Sequence, residues 1–456
     1  MRRSLGFVVL LALNVFSQER GKLTENVVTR ADKGESYTLY LPSAYDPAKD
    51  QPLLLVFDPR SRGTIAAEIF REAAEEFGWI LISSNGTRSD SGLEPNERAL
   101  RALLPEIKLY AVDPKRIYAT GFSGTAMVAW GLGLETKGLA GVIGVGGRLV
   151  EGLPPAEFPF ACYGFSGETD FNNREMRAID AILEGANKPH RFRQFPGEHS
   201  WIPASLAPDA LGWFEVLAMK QGKRTRDDAL VAKVYARELA AATAATPREA
   251  LRMHRGIVAT YEGLHDVSES RAAIASLERD ETVKRAIEEE AKWDRYEERV
   301  VKDVLGNVGA IYAEVRQDEM RPTPMMISRA FRLGELKRHA AQEGAEGLAG
   351  KRLLASMYGQ LAVQITDQLM KRGEYALAAV TLLAATEIHE DRWPLWYNLG
   401  CAQARAGDRR HALDSLEKAI SLGFRNAKQL EADADLASLR ENERFKSLLK
   451  RAGSPQ

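Results

Sequence analysis

At 456 residues the chain exceeds one ordinary domain, and two or three are expected. An apolar share of 45% and a charged share of 27% exclude a disordered chain and fit a globular protein with ample core. With 62 basic and 63 acidic residues the formal net charge is -1, which gives no electrostatic ground for nucleic acid or an anionic membrane as partner.

The chain opens on Met1-Arg2-Arg3, a short positive region, followed by an almost unbroken apolar run from Leu5 to Phe16 and then by polar Gln18-Glu19-Arg20. This order predicts a signal peptide over residues 1–17, its apolar run too short to span a bilayer comfortably. The mature protein is therefore expected to be exported, to the periplasm or outside the cell, with no stable membrane insertion after cleavage. The two cysteines, Cys162 and Cys401, fall in regions that read as separate domains, which argues against a disulfide framework and against a cysteine-based metal site. No metal and no cofactor is expected.

Residues 18–222 read as the first domain, and from about residue 36 strand-like and helix-like segments alternate. Tyr37 to Leu41 alternates polar and apolar positions and predicts a half-exposed antiparallel edge strand. Pro52 to Phe57 is a continuous apolar run, the pattern of a strand buried on both faces. A helix (Ala66 to Phe77), a second buried strand (Trp79 to Ser84) and an amphipathic helix (Asn96 to Tyr110) follow. A strand beginning at Arg116 leads to Gly121-Phe-Ser-Gly-Thr125 and a helix-like apolar segment, Met127 to Leu134. Strands at Ala140 to Val145, Phe158 to Phe165 and His190 to Phe195, with helices at Glu175 to Leu183 and Ala207 to Met219, complete the unit. Strands alternating with helices predict a doubly wound, mostly parallel sheet.

Beyond about residue 222 the strand signal disappears. Residues 223–350 read as a helical region whose charged stretch, Ser276 to Asp303, is a solvated helix face. Within 351–453 a repeat emerges: Trp396, Leu399, Gly400, Gly407, Ala412, Leu416 and Ala419 stand at the spacing of a tetratricopeptide (TPR) helix pair. A shift of about 34 residues, that repeat's period, gives Ile365, Gly373, Ala378, Leu382 and Ala385. The expectation is an all-α, TPR-like array continuous with the helices before it, offering a surface to a protein or peptide partner.

The chemistry centres on Ser123. A small-x-Ser-x-small turn between a strand and a helix is the form of a nucleophile elbow. A serine hydroxyl needs a histidine to take its proton and a carboxylate to orient that imidazole. His199, in the turn Pro196-Gly-Glu-His-Ser-Trp201, follows the last strand of the α/β segment, whereas His190 opens that strand and reads as structural. Glu168 and Asp170 share the loop after the preceding strand, and Asp170 has the longer reach. Ser123, Asp170 and His199 then stand in the order acid before histidine that such folds use.

Gly121 to Ala126, the Asp170 loop and Gly197 to Trp201 resemble α/β-hydrolase esterases of the polyhydroxybutyrate depolymerase, feruloyl esterase and dienelactone hydrolase type. The resemblance covers about residues 36–222. It implies an α/β-hydrolase fold followed by a TPR-like domain, and carboxylic-ester hydrolysis through an acyl-enzyme on Ser123, the ester of unknown size. Two departures stand out. Thr125 occupies a position such families give to glycine, which predicts a strained elbow. Phe57-Asp-Pro-Arg-Ser-Arg-Gly63 replaces a His-Gly loop; Pro59 has no N–H, so Arg60 and Gly124 are expected to donate to the oxyanion. Arg60 and Arg62 would clamp an anionic substrate group or pair with acids. A binding protein that keeps the fold with little turnover, and a serine peptidase, are the other readings.

Overall fold

A computed structural model describes residues 19–89, 92–148, 154–316 and 323–453. The signal peptide expected over residues 1–17 lies outside them. The chain divides into two compact units, Met1–Gly167 with Asn172–Val283, and Glu168–Phe171 with Lys284–Gln456.

The first unit is built on one eight-stranded sheet, β1 (Leu23–Val28), β2 (Ser36–Tyr40), β3 (Gln51–Phe57), β4 (Ile80–Ser84), β5 (Val112–Phe122), β6 (Gly141–Val145), β7 (Ala161–Gly167) and β8 (His190–Phe195). They are ordered β1-β2-β4-β3-β5-β6-β7-β8. β2 pairs antiparallel with β1 and β4, and every other neighbouring pair is parallel. This is the α/β-hydrolase arrangement.

Period-2 alternation explains the unbroken apolar run of β3. Leu54 and Val56 enter one core with helices α1 (Gly63–Phe77) and, later in the chain, Ala207–Lys220. Leu53, Leu55 and Phe57 enter the core on the other face, with Leu103 of α2 (Glu94–Leu103), Trp130 of α3 (Gly124–Thr136) and Met176 of α4 (Asn173–Gly185). The helix Ala207–Lys220 is α5. Its buried Glu215 accepts from Trp79 Nε1 at 2.6 Å and pairs with Arg116 and Arg224, which fixes α5 to the sheet.

Three expectations are corrected. Tyr37 to Leu41 is not an edge strand: β1 covers its outer side, and Tyr37, Leu39 and Tyr40 are at most 1% exposed. The stretch expected as one helix from Asn96 to Tyr110 breaks at Leu103 into a 3-10 turn over Leu104–Leu109, because Pro105 cannot continue α2. The sheet unit also runs past 222. Helices α6 (Asp228–Ala244), α7 (Pro247–Tyr261) and α8 (Ser268–Leu277) belong to it, with Val216 and Met219 of α5 packed among Val231, Val234 and Ile257.

The second unit is helical, and the long α9 (Glu281–Arg316) belongs to it from Lys284 on. Helices Trp393–Arg405 and Arg409–Ser421 form a tight pair at Gly400, where a Cβ would lie 2.9 Å from the Leu416 side chain. Ala378, Leu382 and Ala385 are fully buried in the preceding helix, Tyr375–Ala385. A buried ion pair joins Glu297 of α9 to Arg352, whose Nη1 also donates to the Glu168 carbonyl at 3.2 Å. Among the described residues no helix is long and apolar enough to cross a membrane.

Candidate active site

Ser123 stands between the carboxyl end of β5 and the first turn of α3, with φ 56° and ψ -126°. A non-glycine residue there costs about 1–3 kcal/mol of backbone strain, tolerated only where the surroundings over-determine it. The surroundings do so. A Cβ on Gly121 would lie 2.1 Å from the Thr125 carbonyl oxygen, so the turn closes only with glycine at that position.

The strain expected at Thr125 is not found there; Ser123 carries the positive φ and Thr125 does not. The fully buried Thr125 hydroxyl donates toward the carbonyls of Phe57 (2.6 Å) and Phe122 (2.8 Å) and accepts from the Phe122 N–H at 3.2 Å. It ties the elbow to the end of β3, a task glycine has no side chain to perform.

His199 reaches the elbow from the loop after β8. Its Nε2 lies 2.8 Å from Ser123 Oγ, and its ring rests on Phe122 with centroids 4.6 Å apart. The loop crosses the end of β7 so closely that a Cβ on Gly167 would lie 2.5 Å from the Glu198 carbonyl oxygen. His190, as expected, is structural: Nδ1 meets the Lys188 carbonyl at 2.8 Å, and Nε2 lies 3.4 Å from Asp180 Oδ1. Asp170 lies three residues beyond β7 and is fully buried, whereas Glu168 is half-buried. Both sit in the short segment grouped with the helical unit.

Sequence reasoning gave Asp58 no role, and the structure makes it the organiser of the rim. Asp58 is fully buried. Its Oδ1 accepts from Arg60 N (2.8 Å), Arg62 N (3.2 Å) and Arg62 Nε (3.0 Å); its Oδ2 accepts from Arg62 Nη2 (3.0 Å) and Trp201 Nε1 (2.9 Å). Burial raises its pKa, but the bonds from Arg62, Trp201 and the Arg60 N–H outweigh burial and hold it below the usual carboxylate value. One carboxylate thus joins the loop after β3 to the loop carrying His199. The Trp201 ring lies 5.6 Å from Phe122, which supports His199.

One expectation for that loop changes, and one open alternative is decided. The Arg60 N–H, expected to face an oxyanion, points at Asp58 instead, because a buried carboxylate must collect donors. Of the two readings of Arg62, the partner of an acid is the one observed, its Nε and Nη2 both bonding the buried Asp58. Gly124 opens α3, where the first amides have no partner within the helix. Asp58 had one legible signal, a carboxylate directly after an apolar strand.

Among the described residues, the side chains that converge at metal-ligand spacing are Cys401, Asp433 and Asp435, in the helical unit. Tyr397 Oη already donates to Asp433 and Arg405 Nη1 to Asp435, each at 2.7 Å.

No protein-family model matches the sequence, and no curated protein matches it. Solved structures do. A ferulic acid esterase is 16% identical, with a TM-score of 0.36, over 42% of this chain and 97% of its own. S-formylglutathione hydrolase (FrmB) from Staphylococcus aureus is 12% identical, TM-score 0.34, over 43% and 98%. A Mycobacterium tuberculosis puromycin-hydrolyzing peptidase is 13% identical, TM-score 0.33, over 43% and 38%. At such values the likeness carries no argument about chemistry, which stands on the geometry of this chain.

Proposed function

We propose that this chain is an exported serine hydrolase that cleaves carboxylic esters through an acyl-enzyme on Ser123. The observation that supports it is the 2.8 Å approach of His199 Nε2 to a serine hydroxyl on a strained elbow at the carboxyl end of a central parallel strand. In this reading His199 takes the Ser123 proton as Oγ attacks the ester carbonyl. The tetrahedral oxyanion forms beside the Gly124 N–H and collapses, and His199 returns the proton to the departing alcohol. Water, deprotonated by His199, then attacks the acyl-enzyme, releasing the acid and restoring the Ser123 hydroxyl. Asp170 is assigned the orientation of the imidazole, on its chain order and complete burial.

Residues 1–17 are read as the export signal, and residues 351–453 as a TPR-like module that binds a protein or peptide. A weakly catalytic binding protein is the second reading, favoured by one observation: Asp58 holds the loop amide expected to serve the oxyanion.

A fluorophosphonate probe on the purified protein tests the assignment. Wild type is expected to label, and Ser123→Ala and His199→Ala are not. Absence of wild-type labelling, or equal labelling of Ser123→Ala, refutes it. Short p-nitrophenyl esters run beside peptide amides separate esterase from peptidase.

A further inference from the structure

A tetrahedral oxyanion at Ser123 needs more than one aimed donor, and in the loop after β3 the stretch Pro59 to Arg62 has none to spare. Pro59 lacks an N–H. Arg60 N and Arg62 N donate to Asp58 Oδ1, and Ser61 N donates to the carbonyls of Asp58 (3.3 Å) and Thr87 (3.1 Å). Satisfying the buried carboxylate uses the amides that a substrate would otherwise meet.

The next segment on this rim is the turn after β4, and it is stitched to the same loop. Ser89 N donates to the Pro59 carbonyl at 2.9 Å, Arg60 and Arg88 form an antiparallel bridge, and Thr87 Oγ1 donates to the Asp58 carbonyl at 3.2 Å. These bonds fix the Ser89 backbone. Its side chain faces the elbow: a Cβ built on Gly124 would lie 2.8 Å from Ser89 Oγ and 3.1 Å from Ser89 Cβ. The absence of a side chain at Gly124 therefore lets a hydroxyl stand against the residue that follows the nucleophile. A hydroxyl is a rotor that donates one proton and accepts at its lone pairs, so it can turn toward an oxygen as charge develops there.

We propose that Ser89 Oγ–H is the second oxyanion donor of this site, working beside the Gly124 N–H in place of a loop amide. The assignment rests on the serine-hydrolase reading above. The ester carbonyl oxygen gains its charge when Ser123 Oγ bonds to carbon, and the Ser89 hydroxyl donates to that oxygen without giving up its proton.

The test compares full-length wild type, Ser89→Ala and Ser123→Ala on a short p-nitrophenyl ester and with a boronic acid, which becomes tetrahedral on the serine. Removing one oxyanion donor lowers kcat by about 100-fold, and KM should stay within about threefold. The boronic acid should lose affinity in the same proportion as kcat/KM, a readout that a merely structural serine would not move. A Ser89→Ala kcat within about threefold of wild type overturns the proposal, as does a loss carried by KM alone. If Ser123→Ala turns over the ester as wild type does, the serine-hydrolase reading itself fails and the Ser89 role falls with it. Ester turnover that needs Ser123 but not Ser89 refutes only the oxyanion assignment.

Discussion

Replacing Asp58 by Asn keeps the shape of the side chain and removes the charge on which two loops converge. With its single carbonyl oxygen at the Oδ1 position, Asn retains the bonds from Arg60 N, Arg62 N and Arg62 Nε. Its NH2 then opposes Arg62 Nη2 and Trp201 Nε1, both donors. The Arg62 side chain is 39% exposed and can turn Nη2 to water, so that loss counts for little. Trp201 loses a charged acceptor, worth about 1.5–3 kcal/mol, and faces a donor instead. A local weakening of about 2 kcal/mol corresponds to exchange about 30-fold faster wherever the loops open together. Hydrogen exchange read by mass spectrometry on peptides covering 58–62 and 197–203 checks this. Both should accelerate in Asp58→Asn, and kcat should fall as His199 loses its support. Acceleration confined to 58–62 would refute the argument that one carboxylate holds both loops.

The remaining predictions concern acid, packing and reactivity. The folded pKa of Asp58 is lowered, so the stability it contributes is complete above its unfolded value of about 3.9 and disappears as pH falls through the lower folded value. Protection of the two loops should survive mild acid, fail below it in wild type, and show no such step in Asp58→Asn. Gly167→Ala, by displacing the backbone at Glu198, should lower kcat at least about tenfold, measured on the same ester. Arg352→Ala strands the buried Glu297 and should cost the helical unit about 3–5 kcal/mol in denaturant melts, whereas Arg352→Met with Glu297→Leu should recover most of that. Burial, with Asp180 nearby, pushes the Cys162 thiol up to about 12, so it should resist alkylation in the native protein at about pH 8 and react once unfolded.

The parallel core of the sheet was legible because strands buried on both faces leave long apolar runs, as in β3 and β4, and the elbow because glycine and serine stand at a forced turn. β1 was not, since Leu23-Thr-Glu-Asn-Val-Val28 alternates too weakly to register. Nor was the burial of β2, whose tyrosines read as half-exposed although their hydroxyls are satisfied inside, Tyr37 by Tyr110 at 2.8 Å and Tyr40 by Glu75. Ser123 and His199 were read correctly as neighbours. The duty of the Arg60 N–H was misread because it depends on where Asp58 is buried. Backbone amides are invisible in a sequence until the acceptor that claims them is known.

The backbone of Ser123 has a further consequence. Its φ of 56° is held from both sides, by the close approach at Gly121 and by the Thr125 hydroxyl on the Phe57 carbonyl. The backbone that carries the hydroxyl is thus set when the chain folds rather than when a substrate arrives, with Oγ beside His199 Nε2 at 2.8 Å, and part of the ordering cost of an attack is met in folding instead of at each turnover. In the proposed hydrolase, discrimination among substrates falls to the groups around the nucleophile, because its backbone is held in one conformation.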